Sequence, residues 1–333
     1  MLSLRGYGIL TLVGKDTFLK HSLHPRNRHQ GHYDFKALTL AYPPLAPFVT
    51  RSPRGDLTID FANAEGVRAL NGALLKLLYG TDQWQIPTGY LCPPIPGRSD
   101  YLHALADLLG SSNGAEIPRG GAVRVLDIGT GASLIYPIVG LGEYGWSFVG
   151  TEVDPIALAS AQKIIDANPA LKSQTTLRRS SSAIRILDDL TAEDQFDATI
   201  CNPPFHASLA EAEEGSRRKW RNLKGGSEPR PTLNFGGQGS ELWCSGGESA
   251  FVCRMVNQSV GKGHQVFWFS SLVSKDASLP EIYAALKQAR VQEFKTIDMA
   301  QGQKKSRFVA WTFLNPGQRR DWQNSRWRTS EKT

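Results

Sequence analysis

Val123-Arg124-Val125-Leu126-Asp127-Ile128-Gly129-Thr130-Gly131-Ala132-Ser133 decides how the rest of the chain is read. A short β-branched run ends in an acid and two glycines, which predicts a strand over 123–128 and a tight turn into a helix. Downstream, the pattern repeats. Residues 146–151 read as a second strand, and Asp154-Pro155 then caps a helix that Asn168-Pro169 ends. Weak strand character over 175–178 and strong character over 196–201 follow. A helix over 248–260, a strand over 265–271, a helix over 279–289 and strands near 291–297 and 307–314 complete the series. Strands alternating with helices predict an α/β fold of the Rossmann-like kind, a parallel sheet with crossover helices. No internal repeat is visible.

Open sheets of this kind bind ligands at the carboxyl ends of their strands, where Asp127, Gly129 and Gly131 fall. A dinucleotide fingerprint needs a third glycine, and Leu134 stands in its place, so no pyrophosphate site is indicated. Glu152 ends the second strand, placed to accept from both hydroxyls of a ribose. An acid before the first glycine and an acid ending the next strand together resemble the S-adenosylmethionine site of class I methyltransferases.

Asn202-Pro203-Pro204-Phe205 ends the fourth strand, 75 residues after Asp127. The exocyclic amine of adenine has its lone pair delocalised into the ring and is a poor nucleophile. An asparagine oxygen and a proline backbone carbonyl can accept its two N–H bonds and favour a pyramidal nitrogen aimed at a sulfonium methyl. The prolines fix that carbonyl and remove a competing donor, and Phe205 can stack on a base swung out of its strand.

The first 120 residues differ in character. His24-Pro25-Arg26-Asn27-Arg28-His29 is a basic, extended segment, and Val67–Leu78 has helical spacing. Leu91-Cys92-Pro93-Pro94-Ile95-Pro96-Gly97-Arg98 is so rich in proline that it predicts an extended connector, with a helix starting only at Tyr101. The expected organisation is an extension at 1–22 with little order, an N-terminal module at 23–110 that binds RNA and covers the cofactor, and a methyltransferase domain at 121–315. That domain carries a mobile substrate loop at 206–239, and a basic tail occupies 316–333.

With 41% hydrophobic and 21% charged residues among 333, the composition is that of a globular chain. No apolar stretch is long enough for a membrane helix, and the opening residues lack the pattern of a signal peptide, so the cytoplasm is expected. Four cysteines without a Cys-x-x-Cys pair suit a reducing compartment and predict buried thiols. The net charge of +7 is unevenly placed: residues 15–36 carry +3, 216–230 carry +5 and 315–333 carry +3, leaving −4 on the remainder. Basic arms on a neutral body fit an enzyme that holds a polyanion. Tyr33, Trp220, Trp322 and Trp327, interleaved with those charges, point to RNA, whose bases stack on such rings.

Taken together, these motifs identify a resemblance. From about Leu23 to Trp322 the chain closely resembles the RlmF family of bacterial 23S ribosomal RNA adenine-N6 methyltransferases, and more distantly the related eukaryotic RNA adenine methyltransferases. The matching stretches include His24–His29, Pro93–Tyr101, Asp127–Pro137, Asn202–Phe205, Leu233–Gly237, Glu241–Cys244 and Ala300–Lys304. The resemblance implies a class I methyltransferase sheet with an antiparallel last strand, S-adenosylmethionine as donor and one adenine of large-subunit rRNA as acceptor. It assigns Asp127, Gly129 and Gly131, with Ser133 just beyond, to the cofactor turn, Glu152 to the ribose, and Arg98 to the carboxylate of the cofactor's methionine moiety. Asn202, Pro203, Pro204 and Phe205 become the catalytic loop. Arg26, Arg28, Arg217, Arg218, Lys219, Arg221, Lys304 and Lys305 are the candidates for RNA phosphates. Residues 1–22 lie outside the match.

The expected partner is 23S rRNA or a large-subunit assembly intermediate, met by a monomer. Glutamine methylation of a release factor uses a similar loop, but usually with tyrosine where Phe205 stands and without basic arms. A non-catalytic assembly factor would not need the loop. His29, His206 and His264 are not required as bases, because the methylated ammonium is acidic enough to lose its proton to water. No His, Cys and acid set has metal-ligand spacing. If Arg217, Arg218, Lys219 and Arg221 meet phosphates, each contact removed by charge reversal flattens the log-log salt dependence of RNA binding by about 0.7. Filter binding across a salt series checks this, and an unchanged slope refutes it.

Overall fold

A computed structural model describes residues 23–208, 211, 239–301 and 304–327. Among these, α1 (Phe35–Ala41), the hairpin β1 (Val49–Arg51) and β2 (Leu57–Ile59), α2 (Ala64–Tyr79) and α3 (Ile95–Ser111) precede the main sheet. The sheet begins with β3 (Arg124–Ile128), α4 (Ile135–Tyr144), β4 (Ser147–Glu152), α5 (Pro155–Ala167), α6 (Pro169–Gln174), β5 (Thr175–Arg179) and β6 (Phe196–Cys201). After α7 (Gly239–Leu242) come α8 (Gly247–Ser259), β7 (Val266–Val273), α9 (Leu279–Gln288), β8 (Glu293–Gln301), β9 (Lys304–Thr312) and α10 (Pro316–Arg326).

The seven strands lie in the order β5-β4-β3-β6-β7-β9-β8. Those from β5 to β7 are parallel, and β9, the last in the chain, runs antiparallel between β7 and β8. This is the class I methyltransferase sheet with its antiparallel last strand. Every residue of β6 and β7 is buried, as a sheet covered on both faces demands. Successive residues serve opposite faces: Val125 joins a core shared with α2, α3 and α4, and Leu126 a core shared with α8 and α9. Among the described residues, no helix is long and apolar enough to cross a membrane.

Three expectations need correction. The proline-rich connector ends at Pro94, and Ile95–Arg98 form the first turn of α3, with proline among its first two positions. The first turn has N–H groups with no helical partner, so Pro96 loses no bond there. Residues 316–327 are not a tail. Asn315 and Gln318 form a reciprocal capping box, Pro316 opens α10, and Trp322 and Trp327 bury their rings against Phe267 of β7. Those two rings are therefore closed to RNA bases.

What fastens α10 is Asp197 of β6, a fully buried carboxylate. It accepts from Trp322 Nε1 and Trp327 Nε1, both at 2.8 Å, from the Arg326 guanidinium at 3.0 and 3.1 Å, and from the Arg124 amide at 2.7 Å. Burying a charge is tolerable only when it is paired and fully hydrogen-bonded, and here both oxygens are. Asp197→Ala leaves an unpaired guanidinium and two indole donors behind. The expected loss is about 3–5 kcal/mol of stability, read by urea unfolding.

Candidate functional site

At the carboxyl ends of β3, β4 and β6 the chain encloses a cavity of about 420 Å³. Its floor is the turn after β3. Gly129 and Gly131 take φ of +70° and +67°, left-handed values that a side chain would strain. The amides of Gly129 and Thr130 both donate to Thr151 O at 3.0 Å, folding the turn against β4. Asp127 is fully buried, with Oδ2 accepting from Thr130 Oγ1 at 2.6 Å. Its Oδ1 is buried without a partner. Burial pushes this carboxyl up to about 7, against the bond from Thr130.

Glu152, also buried, accepts from the backbone of Gly131 at 3.0 Å, Val153 at 2.8 Å and Asp154 at 2.9 Å. Burial raises its pKa while these three donors oppose the rise. A carboxylate offers about four acceptor sites, so three backbone bonds fix its orientation and leave room for a ligand hydroxyl. Ser133 is buried on the cavity wall, and its carbonyl is held by Trp84 Nε1 at 2.9 Å.

The opposite wall comes from the N-terminal part of the chain. Arg98, on the first turn of α3, donates from one terminal nitrogen to Asn202 Oδ1 at 2.7 Å and to Tyr136 Oη at 3.2 Å. Its guanidinium also lies 5.8 Å from the centre of the Tyr136 ring. Asn202 and Pro204 line the cavity, whereas Pro203, which is buried, and Phe205, which is half-buried, do not. The carboxyl-end turns of β3 and β6 and one arginine from α3 therefore meet in one place, although the sequence separates them widely.

The predicted RNA contacts are distributed otherwise. Arg26 pairs with Asp107 at 2.6 Å and donates to His103 O and Tyr144 Oη, while Arg28 pairs with Glu143 at 2.9 Å. Asn27 between them is buried, donating to Pro96 O and Asp100. The segment is thus sewn onto α3 by its own polar groups. Lys304 and Lys305 belong to β9 by their backbone. Arg217, Arg218, Lys219 and Arg221 lie outside the described residues, as does most of the loop predicted to be mobile. Its two ends are fixed, because His206 and Trp243 form a bridge with the His206 amide donating to Leu242 O and the Cys244 amide to His206 O, both at 3.0 Å.

None of His29, His206 and His264 lines the cavity. His29 is a buried core side chain bonded to Tyr33 and Tyr79 at 3.0 Å, and burial lowers its pKa to about 4. Cys92 and Cys201 are buried and Cys244 and Cys253 half-buried. Among the described residues no group of His, Cys, Asp and Glu could hold a metal ion.

Sequence reading missed several lining residues: Tyr136, the stretch from Ser180 to Ile186, Glu241, Trp243 and Arg254. Glu241 closes one side, its Oε2 accepting from the Leu91 amide at 3.1 Å. Tyr136, Glu241 and Trp243 fall in stretches that carry the family resemblance but had no role attached to them, whereas nothing local marks residues 180–186 or Arg254, which chain folding brings to the cavity.

Sheet order, the acid-bearing glycine turn and the Asn-Pro-Pro-Phe loop together define a class I, S-adenosylmethionine-dependent methyltransferase. A family model described as RNA methyltransferase matches residues 17–315. The chain is 53% identical over 311 residues to the ribosomal RNA large subunit methyltransferase F of Serratia proteamaculans (strain 568), covering 93% of each chain. It is 54% identical over 311 residues to that of Pseudomonas putida (strain W619), covering 92% of this chain and 98% of the relative. Among solved structures it is similar to the human METTL16 catalytic domain in complex with MAT2A 3'UTR hairpin 1, with TM-score 0.74 and 31% identity over 88% of this chain and 96% of that one. The N-terminal domain of human METTL16 in complex with SAH gives TM-score 0.69 and 28% identity, covering 88% of this chain and all of that one. This chain belongs to the ribosomal RNA large subunit methyltransferase F family of RNA methyltransferases.

Asp127 does not itself line the cavity but lies behind the lining residues Ile128, Gly129 and Thr130, and the ammonium of a methionine moiety in the cavity would fit there by favouring its ionised form. Raised from near 4 in the unfolded chain to about 7, this carboxyl contributes stability that is fully present below about pH 4 and lost as pH rises through about 7. A cationic ligand reverses the preference, because it binds the ionised form. S-adenosylmethionine affinity should therefore rise up to about tenfold per pH unit below 7, with proton release on binding. Calorimetry in buffers of different ionisation enthalpy reads both effects, and Asp127→Asn should abolish them.

Proposed function

We propose that this enzyme transfers the methyl group of S-adenosylmethionine to the exocyclic N6 of one adenine in large-subunit, 23S, ribosomal RNA. The reading places the enzyme in the cytoplasm, acting as a monomer on the free rRNA or on an assembly intermediate. The observation that carries the proposal is that Asn202 lines the same cavity as the Ile128–Gly131 turn.

Asp127, behind the turn, would balance the charge of the methionine moiety's ammonium, with Glu152 holding the ribose hydroxyls and Arg98 the carboxylate. Gly129 and Gly131 let the backbone come close. When bound, the cofactor supplies an electrophilic methyl on a sulfonium. Everything else falls to the loop. Asn202 Oδ1 has one lone pair engaged by Arg98 and a second available to an amine N–H. The Pro203 carbonyl accepts the other N–H, and the ring constraint at Pro203 and Pro204 keeps that carbonyl in place. Held by two acceptors, the nitrogen pyramidalises and presents its lone pair. No side chain has to take the proton, which leaves the methylated ammonium for water. Phe205 offers its ring to the extruded base.

Asn202→Ala should lower single-turnover methylation by about two to three orders of magnitude, with a much smaller change in cofactor affinity. Phe205→Ala should weaken productive RNA binding by about 1–3 kcal/mol, most of which Phe205→Tyr restores. Nucleoside mass spectrometry of rRNA from a deletion strain settles the substrate. One missing N6-methyladenosine is expected, and an unchanged rRNA with a missing methylglutamine would overturn the proposal.

A further inference from the structure

Two side chains on the cavity wall remain without a role, Trp243 and Arg254. Trp243 is carried by a fixed backbone, the bridge to His206, one residue past the catalytic loop. Its ring nonetheless stays 37% exposed, in a chain that buries Trp84, Trp146, Trp268, Trp311, Trp322 and Trp327. A large ring held in place and left facing open space beside Asn202 and Pro204 has apolar area to offer a planar ligand.

Arg254 extends from α8 to the same cavity and is half-buried. Among the described residues no carboxylate pairs with it; the same holds for Arg54, Arg290 and Arg320, but those three are exposed at the surface, whereas Arg254 is half-buried on the cavity wall. The cavity's other arginine, Arg98, spends one terminal nitrogen on Asn202 and Tyr136 and keeps the rest of its guanidinium for the cofactor. A half-withdrawn guanidinium loses some hydration, which an anion with two oxygens replaces well. The cofactor as read above brings one carboxylate, which Arg98 would meet.

We propose that Trp243 and Arg254 form a subsite for the substrate nucleotide, Trp243 stacking on a base and Arg254 clamping an adjoining backbone phosphate. The assignment rests on the proposed RNA methylation. An adenine leaving its strand gives up stacking, and an aromatic face beside the catalytic loop returns it. A phosphate fixed on Arg254 sets how far the ribose swings, and thereby where the base meets Asn202.

The test uses the full chain and the variants Trp243→Leu, Trp243→Phe, Arg254→Gln and Arg254→Lys. Cofactor affinity is measured by calorimetry and RNA methylation by KM and kcat on an rRNA fragment. Saturation-transfer NMR compares adenosine with adenosine 5'-monophosphate on protein saturated with S-adenosylhomocysteine. Trp243→Leu should raise the RNA KM by about 5- to 150-fold, with Trp243→Phe recovering most of the loss. Arg254→Gln should raise it by about ten- to a hundredfold and flatten the salt dependence by about 0.7, with partial recovery in Arg254→Lys. Wild type should prefer the monophosphate over adenosine, and Arg254→Gln should lose that preference. Unchanged KM and salt slope would overturn the subsite, as would losses confined to cofactor affinity. If wild type methylates no rRNA adenine, the proposed function fails, while a monophosphate preference lost in Arg254→Gln would still sustain the subsite.

Discussion

The parallel pairing of β3 with β6, which sets Ile128 beside Cys201, is the constraint on which the site depends. Both strands end at that level, so the turn carrying Asp127 and the loop carrying Asn202 emerge next to each other. A strand rises about 3.3 Å per residue, and a slip of two residues would carry the loop about 6.5 Å away from the turn. Burial on both faces makes such a slip costly. At the other end of β6, Asp197 is tied to α10, so the strand is anchored along its length.

Arg98 extends the same logic to the N-terminal part of the chain. Its bond to Asn202 crosses from α3 to the catalytic loop, and Tyr101, one turn further along α3, donates to or accepts from Ser270 of β7. Phe35, Leu70 and Leu105 share an apolar core with Val125 and Ala198 of the sheet. The N-terminal residues are therefore a wall of the site. Their basic segment is neutralised in part by Asp107 and Glu143, which shifts attention to the cations of the cavity itself.

Much of this was legible in the sequence, because local chemistry decides it. Asp154 and Pro155 start α5 as capping requires, and the strand read over 196–201 is β6 to the residue. The glycine turn and the catalytic loop were likewise visible as motifs. What escaped depends on distant partners. Arg26 reads as a lone cation until Asp107, 81 residues away, is brought to it. Trp322 and Trp327 read as stacking platforms because nothing nearby reveals Asp197, 125 and 130 residues earlier. The helical turn at Ile95–Arg98 was hidden by a rule applied too widely, since proline stops a helix only after its first turn.

The placement of β9 and α10 has a consequence for how the molecule is born. The last strand of the chain lies inside the sheet, between β7 and β8, and the last described helix closes on the carboxylate of a central strand. While the chain is still being synthesised, β7 presents an open edge and Asp197 an unmatched charge. Neither is relieved until the final residues have emerged. Residues 304–326 thus act as a fastening for the whole sheet domain, filling its inner strand position and matching the buried charge of its central strand.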